Sequence, residues 1–294
     1  MASFTTTFER LIRFQDEAGQ PRYGEPVLSS IHDLDEAVSQ GTLEATVWEG
    51  SNIFSLAPTT QILSVKKLLP ILTAEDVPLV KCVGLNYMKH IQEGGRKPPP
   101  YPSIFIKPRT SVAGFNEDIP IPKLAQDDQL DYEGELCIVI GKTGKDIPKN
   151  EALQYIAGFV SSNDVSARKW QRDPAFAGGV PQWCFSKGFD RFAPLGPVLV
   201  SPKLVGNAGN LRLQTFVNGE LRQDTNTSDL LFNTEDIVAF VSQGTTLEAG
   251  TVIMTGTPAG VAMGMKEPKW LKDGDVVEVR IEQLGSVKNR MSFQ

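Results

Sequence analysis

The chain has 294 residues, a formal net charge of −6 at pH 7, an apolar share of 40% and a charged share of 22%. These values bound a globular protein of one large domain, or of one domain with a small appendage. Acids and bases are mixed without a basic block, which excludes a nucleic-acid partner, and no run approaches the ~18 continuous apolar residues that span a bilayer, which excludes a membrane one.

The start, Met1-Ala2-Ser3-Phe4-Thr5, lacks a basic segment followed by an apolar core, so no secretory signal is expected. Residues 1–72 read as a small N-terminal domain. Phe8 to Phe14 alternates like a strand, Gln20-Pro21-Arg22-Tyr23-Gly24 is turn chemistry, and Ser64 to Pro70 closes the unit. Arg10 and Arg13 are balanced there by Glu9 and Asp16 in a strand-like pattern, unlike a transit peptide. We therefore expect a cytoplasmic protein, with the mitochondrion as the alternative. His32 is the first of only two histidines.

From Leu79 onward, short apolar strands are divided by Gly, Pro and Asp: 79–83, 103–107, 136–140, 158–161, 213–217, 252–255 and 276–281. Helices are expected at Lys149–Tyr155 and Thr234–Gln243. Residues 78–294 thus form a second, β-rich mixed α/β domain without the βαβ alternation of a dinucleotide-binding sheet. Three widely spaced cysteines, Cys82, Cys137 and Cys184, read as reduced buried thiols of an intracellular protein.

Five stretches could carry chemistry. In Gly84-Leu85-Asn86-Tyr87-Met88-Lys89-His90-Ile91-Gln92-Glu93, the last histidine and Glu93 are three apart. On a helical turn they share a face, so a carboxylate could orient the imidazole and raise its basicity. An exposed turn with a chance pair would look the same. In Asp131-Tyr132-Glu133-Gly134-Glu135 the acids occupy alternate positions of an expected strand and face one way. Such a set favours a hard divalent cation, with Asp164 as a further ligand, although a solvated strand end has the same spelling. Arg168 and Gln171 share a helical face after Asp164, placed either to grip a carboxylate and a carbonyl or to start a surface helix that Asp164 caps. Lys187 stands in a turn where it could stabilise an enolate, or it is an ordinary exposed lysine. Met254-Thr255-Gly256-Thr257-Pro258-Ala259-Gly260-Val261 is a strand ending in a Gly-rich turn able to hold an anion, without the lysine of a phosphate loop.

Taken in order, these motifs resemble the fumarylacetoacetate hydrolase family, in its acylpyruvase and oxaloacetate decarboxylase branch. The match runs through Gly84–Glu93, Glu133 and Glu135, Asp164–Gln171, the Lys187–Asp190 segment, Asn218–Gln223 and the Thr255–Val261 turn. The resemblance implies a twisted β-roll core, a homodimer and Mg²⁺ or Mn²⁺ held by Glu133, Glu135 and Asp164. It implies substrate contacts at Arg168, Gln171, Lys187 and Thr257, and a water-activating dyad of His90 and Glu93. Gly188 stands where the family more often has serine, and no role carries over to Asp131. The implied substrate is a small-molecule 2-oxo acid with a second carbonyl or carboxylate at position 4. Cleavage of its C3–C4 bond, by hydrolysis or decarboxylation through an enolate, is the leading expectation. Keto–enol tautomerisation of oxaloacetate or a tailoring step of specialised metabolism is the alternative, and a non-catalytic metal-bound scaffold the third reading.

Overall fold

The computed structural model describes residues 7–50, 52–93, 95 and 97–294, with the side chains of His32, His90 and Glu93 outside the described set. Among the described residues an 11-stranded sheet runs through the molecule. In spatial order its path is Ala57–Ser64, Glu44–Glu49, Pro21–Pro26, Arg10–Gln15, Val198–Val200, Ile156–Asn163, Gly134–Ile140, Val252–Met254, Val80–Gly84 and Ser103–Lys107, with Lys67–Leu69 paired to Arg10–Gln15 off that path. The N-terminal strands are hydrogen-bonded into this sheet: Arg10, Leu11 and Ile12 lie opposite Val200, Leu199 and Val198. A five-stranded sheet, Glu220–Asn226, Arg212–Val217, Val276–Ile281, Gly285–Phe293 and Ile119–Ile121, packs against the larger one.

The central strand Gly134–Ile140 is buried along its whole length, as its unbroken apolar spelling requires. Leu136, Ile138 and Ile140 face the five-stranded sheet and join Leu213, Val279 and Val287 in one core. Cys137 and Val139 face the other way and join Cys82, Phe105, Leu199 and Met254 in a second. Glu135 has the parity of Cys137, so it emerges at the end of this second face.

Several local expectations shift. Lys149–Tyr155 is a 3₁₀ segment rather than an α-helix. The helix after Asn233 is Thr234–Val241, and Asn233 caps it by accepting the Asp236 N–H at 3.0 Å. Cys82 and Cys137 are buried free thiols, but Cys184 is exposed, on a short helix whose outer side faces solvent. Among the described residues no helix is long and apolar enough to cross a membrane.

Candidate metal and substrate site

The acidic stretch is not one strand. Leu130–Asp131 pairs with Ser166–Ala167, and Gly134–Ile140 pairs with Ile156–Asn163; Tyr132 and Glu133 form the step between them. The step is held by side chains. Glu133 N–H donates to Asn163 Oδ1 at 2.9 Å, Gly134 N–H donates to Gln223 Oε1 at 2.9 Å, and Asp164 N–H donates to the Glu133 carbonyl at 2.8 Å. This kink, rather than simple alternation, aims the acids: Glu133, Glu135 and Asp164 each bring an oxygen within 4.8 Å of the others, and all three are buried.

Buried acids need cations, and three basic residues supply them. Lys187 Nζ donates to Glu133 Oε2 at 2.8 Å, Asp164 Oδ2 at 2.6 Å and Ser166 Oγ at 2.6 Å. Lys107 Nζ donates to the other Asp164 oxygen and to the Phe192 carbonyl, each at 2.6 Å. Arg168 donates through Nε to Asp131 at 2.8 Å, through Nη2 to Glu133 at 2.5 Å and through Nη1 to Gln171 Oε1 at 2.9 Å. The short helix Arg168–Arg172 starts at Ala167 without a side-chain cap, so Asp164 is left to the acid cluster.

Asp131, a residue without an assigned part, proves central to this network. It is fully buried, orients Arg168 and accepts the N–H groups of Ala262 and Met263 at 2.8 and 3.1 Å. Lys107 was also missed: it ends the apolar run Ile104-Phe105-Ile106, and nothing in the sequence marks it as buried. Gln223 stood in a recognised motif with no role; it bridges the acidic step to the Gly-rich turn, donating to Thr257 Oγ1 at 2.9 Å and the Pro258 carbonyl at 3.0 Å. Thr257 in turn donates to the Gly134 carbonyl at 3.0 Å.

The electrostatics divide the acids. Burial opposes ionisation of Glu133, but Lys187 and Arg168 outweigh it and hold its pKa below the usual carboxylate value. Burial lowers the basicity of Lys187, yet Asp164 and Glu133 more than restore it, so its pKa is raised and it stays charged. Glu135 has no cationic partner among the described residues and accepts only the Gly256 N–H, at 2.7 Å. Burial, then Asp164 and Glu133, push its pKa well above the usual value. Four buried acids (Asp131, Glu133, Glu135, Asp164) thus face three buried cations (Lys107, Arg168, Lys187). An all-oxygen donor set in which Glu135 has no cationic partner among the described residues fits a hard divalent cation such as Mg²⁺ or Mn²⁺.

The cluster forms the floor of a cavity of about 360 Å³, whose lining includes Arg168, Gln171, Arg172, Trp183, Lys187, Thr257 and Met263. A larger hollow of about 620 Å³ lies between Leu34 and the five-stranded sheet, but its charges are mostly exposed and it has no acid cluster. In the smaller cavity, Trp183 packs so tightly over Gly84 that a Cβ at Gly84 would lie 2.0 Å from the indole. Asn86 anchors the same motif, donating to the Thr255 and Phe232 carbonyls at 2.8 and 3.0 Å. Gly256 has φ +102° and turns its N–H to Glu135. At Gly188 a Cβ would meet the Cys184 carbonyl oxygen at 2.5 Å, so this backbone is fitted to glycine there. Of the expected site residues, the structure gathers Glu133, Glu135, Asp164, Arg168, Gln171, Lys187 and Thr257 around one cavity. The His90–Glu93 expectation rests on side chains outside the described residues; the helix carrying them, Met88–Glu93, is present.

Comparison with known proteins agrees with this geometry. Residues 80–292 match the family model described as fumarylacetoacetate (FAA) hydrolase C-terminal. The chain belongs to the fumarylacetoacetate hydrolase family. A rat relative, "Oxaloacetate tautomerase Fahd2a, mitochondrial", is 43% identical over 212 residues, 72% of this chain; the chain spans 66% of that relative's length, just under two thirds. An uncharacterised protein of Archaeoglobus fulgidus is 42% identical over 226 residues, covering 77% of this chain and 82% of its own length. Among solved structures, 2-hydroxyhepta-2,4-diene-1,7-dioate isomerase from Mycobacterium marinum is similar with a TM-score of 0.78 and 31% identity, covering 97% of this chain and 99% of that one. Fumarylacetoacetate hydrolase from Exiguobacterium antarcticum is similar with a TM-score of 0.71 and 34% identity, covering 97% and 99%.

Proposed function

We propose that this protein is a divalent-metal-dependent enzyme that interconverts the keto and enol forms of oxaloacetate-like 2-oxo acids. The carrying observation is the buried Glu133–Glu135–Asp164 cluster, in which Glu135 has no cationic partner among the described residues, beside the paired ammonium of Lys187. The printed name of the rat relative and the isomerase among the structural neighbours support the same choice of reaction. A cation held by the three carboxylates would act as a Lewis acid on the 2-oxo group.

The chain's own residues supply the rest. Lys187 places fixed positive charge where negative charge builds on the 2-oxo oxygen as the C3 proton leaves. Its two carboxylate bonds hold that charge in position without reorganisation. Gln171, whose side chain is tied to Arg168, and Thr257 offer polar groups along the cavity wall. His90, three positions from Glu93 in sequence, would take the proton from C3; the electron pair becomes the C2–C3 double bond and the 2-oxo oxygen takes up a proton from water. The reverse transfer restores the ketone. Trp183 and Phe105 wall the cavity on its apolar side and limit water.

The spacing of His90 and Glu93 on one helix favours a second reading, in which the same pair activates water and the C3–C4 bond of a 2,4-dioxo acid is cleaved. Turnover of oxaloacetate enol, acetylpyruvate and fumarylpyruvate, with Mg²⁺ and after EDTA, separates the readings. Loss of enol absorbance without pyruvate supports tautomerisation, and pyruvate release supports cleavage. His90→Ala should lower either rate by about 10²-fold or more with metal binding retained; undiminished turnover would remove the dyad. Inert protein on every substrate would leave the scaffold reading.

A homodimer belongs to the same proposal. Ser103–Lys107 is an edge strand of the large sheet with Ile104 and Ile106 exposed, which supports burial against a second copy. Sedimentation velocity tests it. For the compartment, the relatives named as mitochondrial support that location beside the cytoplasmic one expected from sequence.

A further inference from the structure

We propose that the Thr257 hydroxyl meets the ligand as a hydrogen-bond acceptor, held that way by Gln223, so that the site takes up the enol O–H of a 2-oxo acid in preference to the keto oxygen. This inference rests on the keto–enol reading above. It gives a positioning role to Gln223, the end of the Asn218–Gln223 stretch.

Gln223 is buried on the strand Glu220–Asn226 of the five-stranded sheet, and both ends of its amide are committed. Oε1 accepts the Gly134 N–H at 2.9 Å, and Nε2 donates to the Pro258 carbonyl at 3.0 Å and to Thr257 Oγ1 at 2.9 Å. Two backbone groups fix which end of the amide is which. An N–H can only donate, so the atom facing Gly134 is oxygen. A carbonyl can only accept, so the atom facing Pro258 is nitrogen. The second hydrogen of that nitrogen goes to Thr257, whose oxygen accepts it.

Thr257 Oγ1 in turn donates its own hydrogen to the Gly134 carbonyl at 3.0 Å. A hydroxyl has one hydrogen and two acceptor sites. The hydrogen and one acceptor site are taken, and what remains for a ligand is one lone pair. Thr257 lines the cavity, and Gly134 lies between Glu133 and Glu135, so this lone pair is carried beside the acids. The neighbouring polar side chains offer the opposite. Arg168 Nη1 takes Gln171 Oε1, which leaves Gln171 its N–H groups, and Lys187 is an ammonium. Arg168 commits Nε and Nη2 to Asp131 and Glu133, so the expected fork onto a substrate carboxylate meets a guanidinium turned to the floor. A keto oxygen against Thr257 sets acceptor against acceptor, whereas the enol carries O–H on the same atom.

The test is binding to the Mg²⁺-loaded protein of pyruvate and lactate, whose C2 oxygen is a carbonyl in one and a hydroxyl in the other. Thr257→Val keeps the shape and removes the hydroxyl. It should weaken lactate about fivefold, the worth of one neutral hydrogen bond, while pyruvate stays within twofold. Thr257→Ser should restore lactate. Gln223→Met frees the hydroxyl to turn and should move the lactate-to-pyruvate ratio toward that of Thr257→Val; Gln223→Asn, one methylene short of Thr257, should do the same if the methionine variant does not fold. Added to Thr257→Val, either change should shift the ratio no further, whereas a merely structural part for Gln223 would weaken both acids alike in both backgrounds. Unchanged lactate binding by Thr257→Val, or equal weakening of both acids, overturns the acceptor role and leaves the 2-oxo acid reading intact. Failure of wild type to bind either acid overturns that reading, and this inference with it. Mg²⁺ affinity measured alone should be the same in wild type and Thr257→Val, which separates loss of the contact from damage to the floor.

Discussion

The floor and the mouth of the cavity are built on opposite terms. On the floor every charge is buried and nearly every polar atom is committed: Asp164 is held from both sides by Lys107 and Lys187, and Arg168 by Asp131 and Glu133. At the mouth, Arg172 is exposed, the helix Pro174–Ala177 is followed by Gly178 and Gly179, and Phe176 and Val180 face solvent. Buried charge fixes geometry, because removing one partner strands the other in a medium that cannot solvate it. Exposed charge leaves geometry adjustable at little cost. A floor of this kind can therefore stay fixed while the mouth changes.

Substitutions can break this contrast, and the largest effect should come from the floor. Lys107→Met leaves Asp164 Oδ1 and the Phe192 carbonyl without their donor and should destabilise the fold by about 3–5 kcal/mol in urea unfolding. A loss below about 1 kcal/mol would mean that the floor tolerates unpaired charge as the mouth does. Asp131→Asn keeps the shape but removes the charge facing Arg168. It should cost about 1–3 kcal/mol and also loosen the substrate through Met263 and Arg168; a stability loss with unchanged ligand affinity would separate the two roles.

The smallest change sharpens the contrast at its one unpaired acid. The folded chain holds the Glu135 proton more tightly than the unfolded chain does. Without metal, its contribution to stability is therefore complete below the ordinary value of 4.5 and is lost as pH rises through the raised one. Glu135→Gln removes this dependence. The stability of metal-free wild type should fall relative to the variant as pH rises above about 5, by no more than ~1.4 kcal/mol per unit, and parallel curves would show that Glu135 already has a cationic partner. The same variant should bind Mg²⁺ at least tenfold more weakly.

Much of the floor was legible because its residues sit in compact, ordered motifs: Glu133, Glu135, Asp164, Arg168, Gln171, Lys187 and Thr257 all meet at one cavity. What escaped were residues defined by distant partners. Lys107 is 57 positions from Asp164. In 103–107 three apolar residues run together, so the spelling does not say which face is buried; in the structure Phe105 and Lys107 point inward and Ile104 and Ile106 outward. Period-two alternation identifies a strand but not which side is buried. Asp131 escaped for a related reason: its partners Ala262 and Met263 arrive from the 3₁₀ turn Ala262–Gly264, more than a hundred residues later. Of the N-terminal strands only the first, at Phe8–Phe14, was readable; Gln20–Gly24 read as a turn, yet Pro21–Pro26 is a strand paired with Arg10–Gln15, and the continuation of the arm into the large sheet depends on the pairing of Arg10–Ile12 with Val198–Val200.

That pairing also bears on how the chain can be cut. The stretch matching the family model begins at residue 80, beyond every strand of the N-terminal arm. A protein trimmed to that stretch would keep the acids, the lysines and Arg172, yet would lay bare the backbone donors and acceptors of Val198–Val200 along an apolar, buried strand. Such a raw edge invites another strand to add itself. The arm, none of whose described residues lines the cavity, thus serves as the selvedge of the sheet, keeping it from joining to its neighbours.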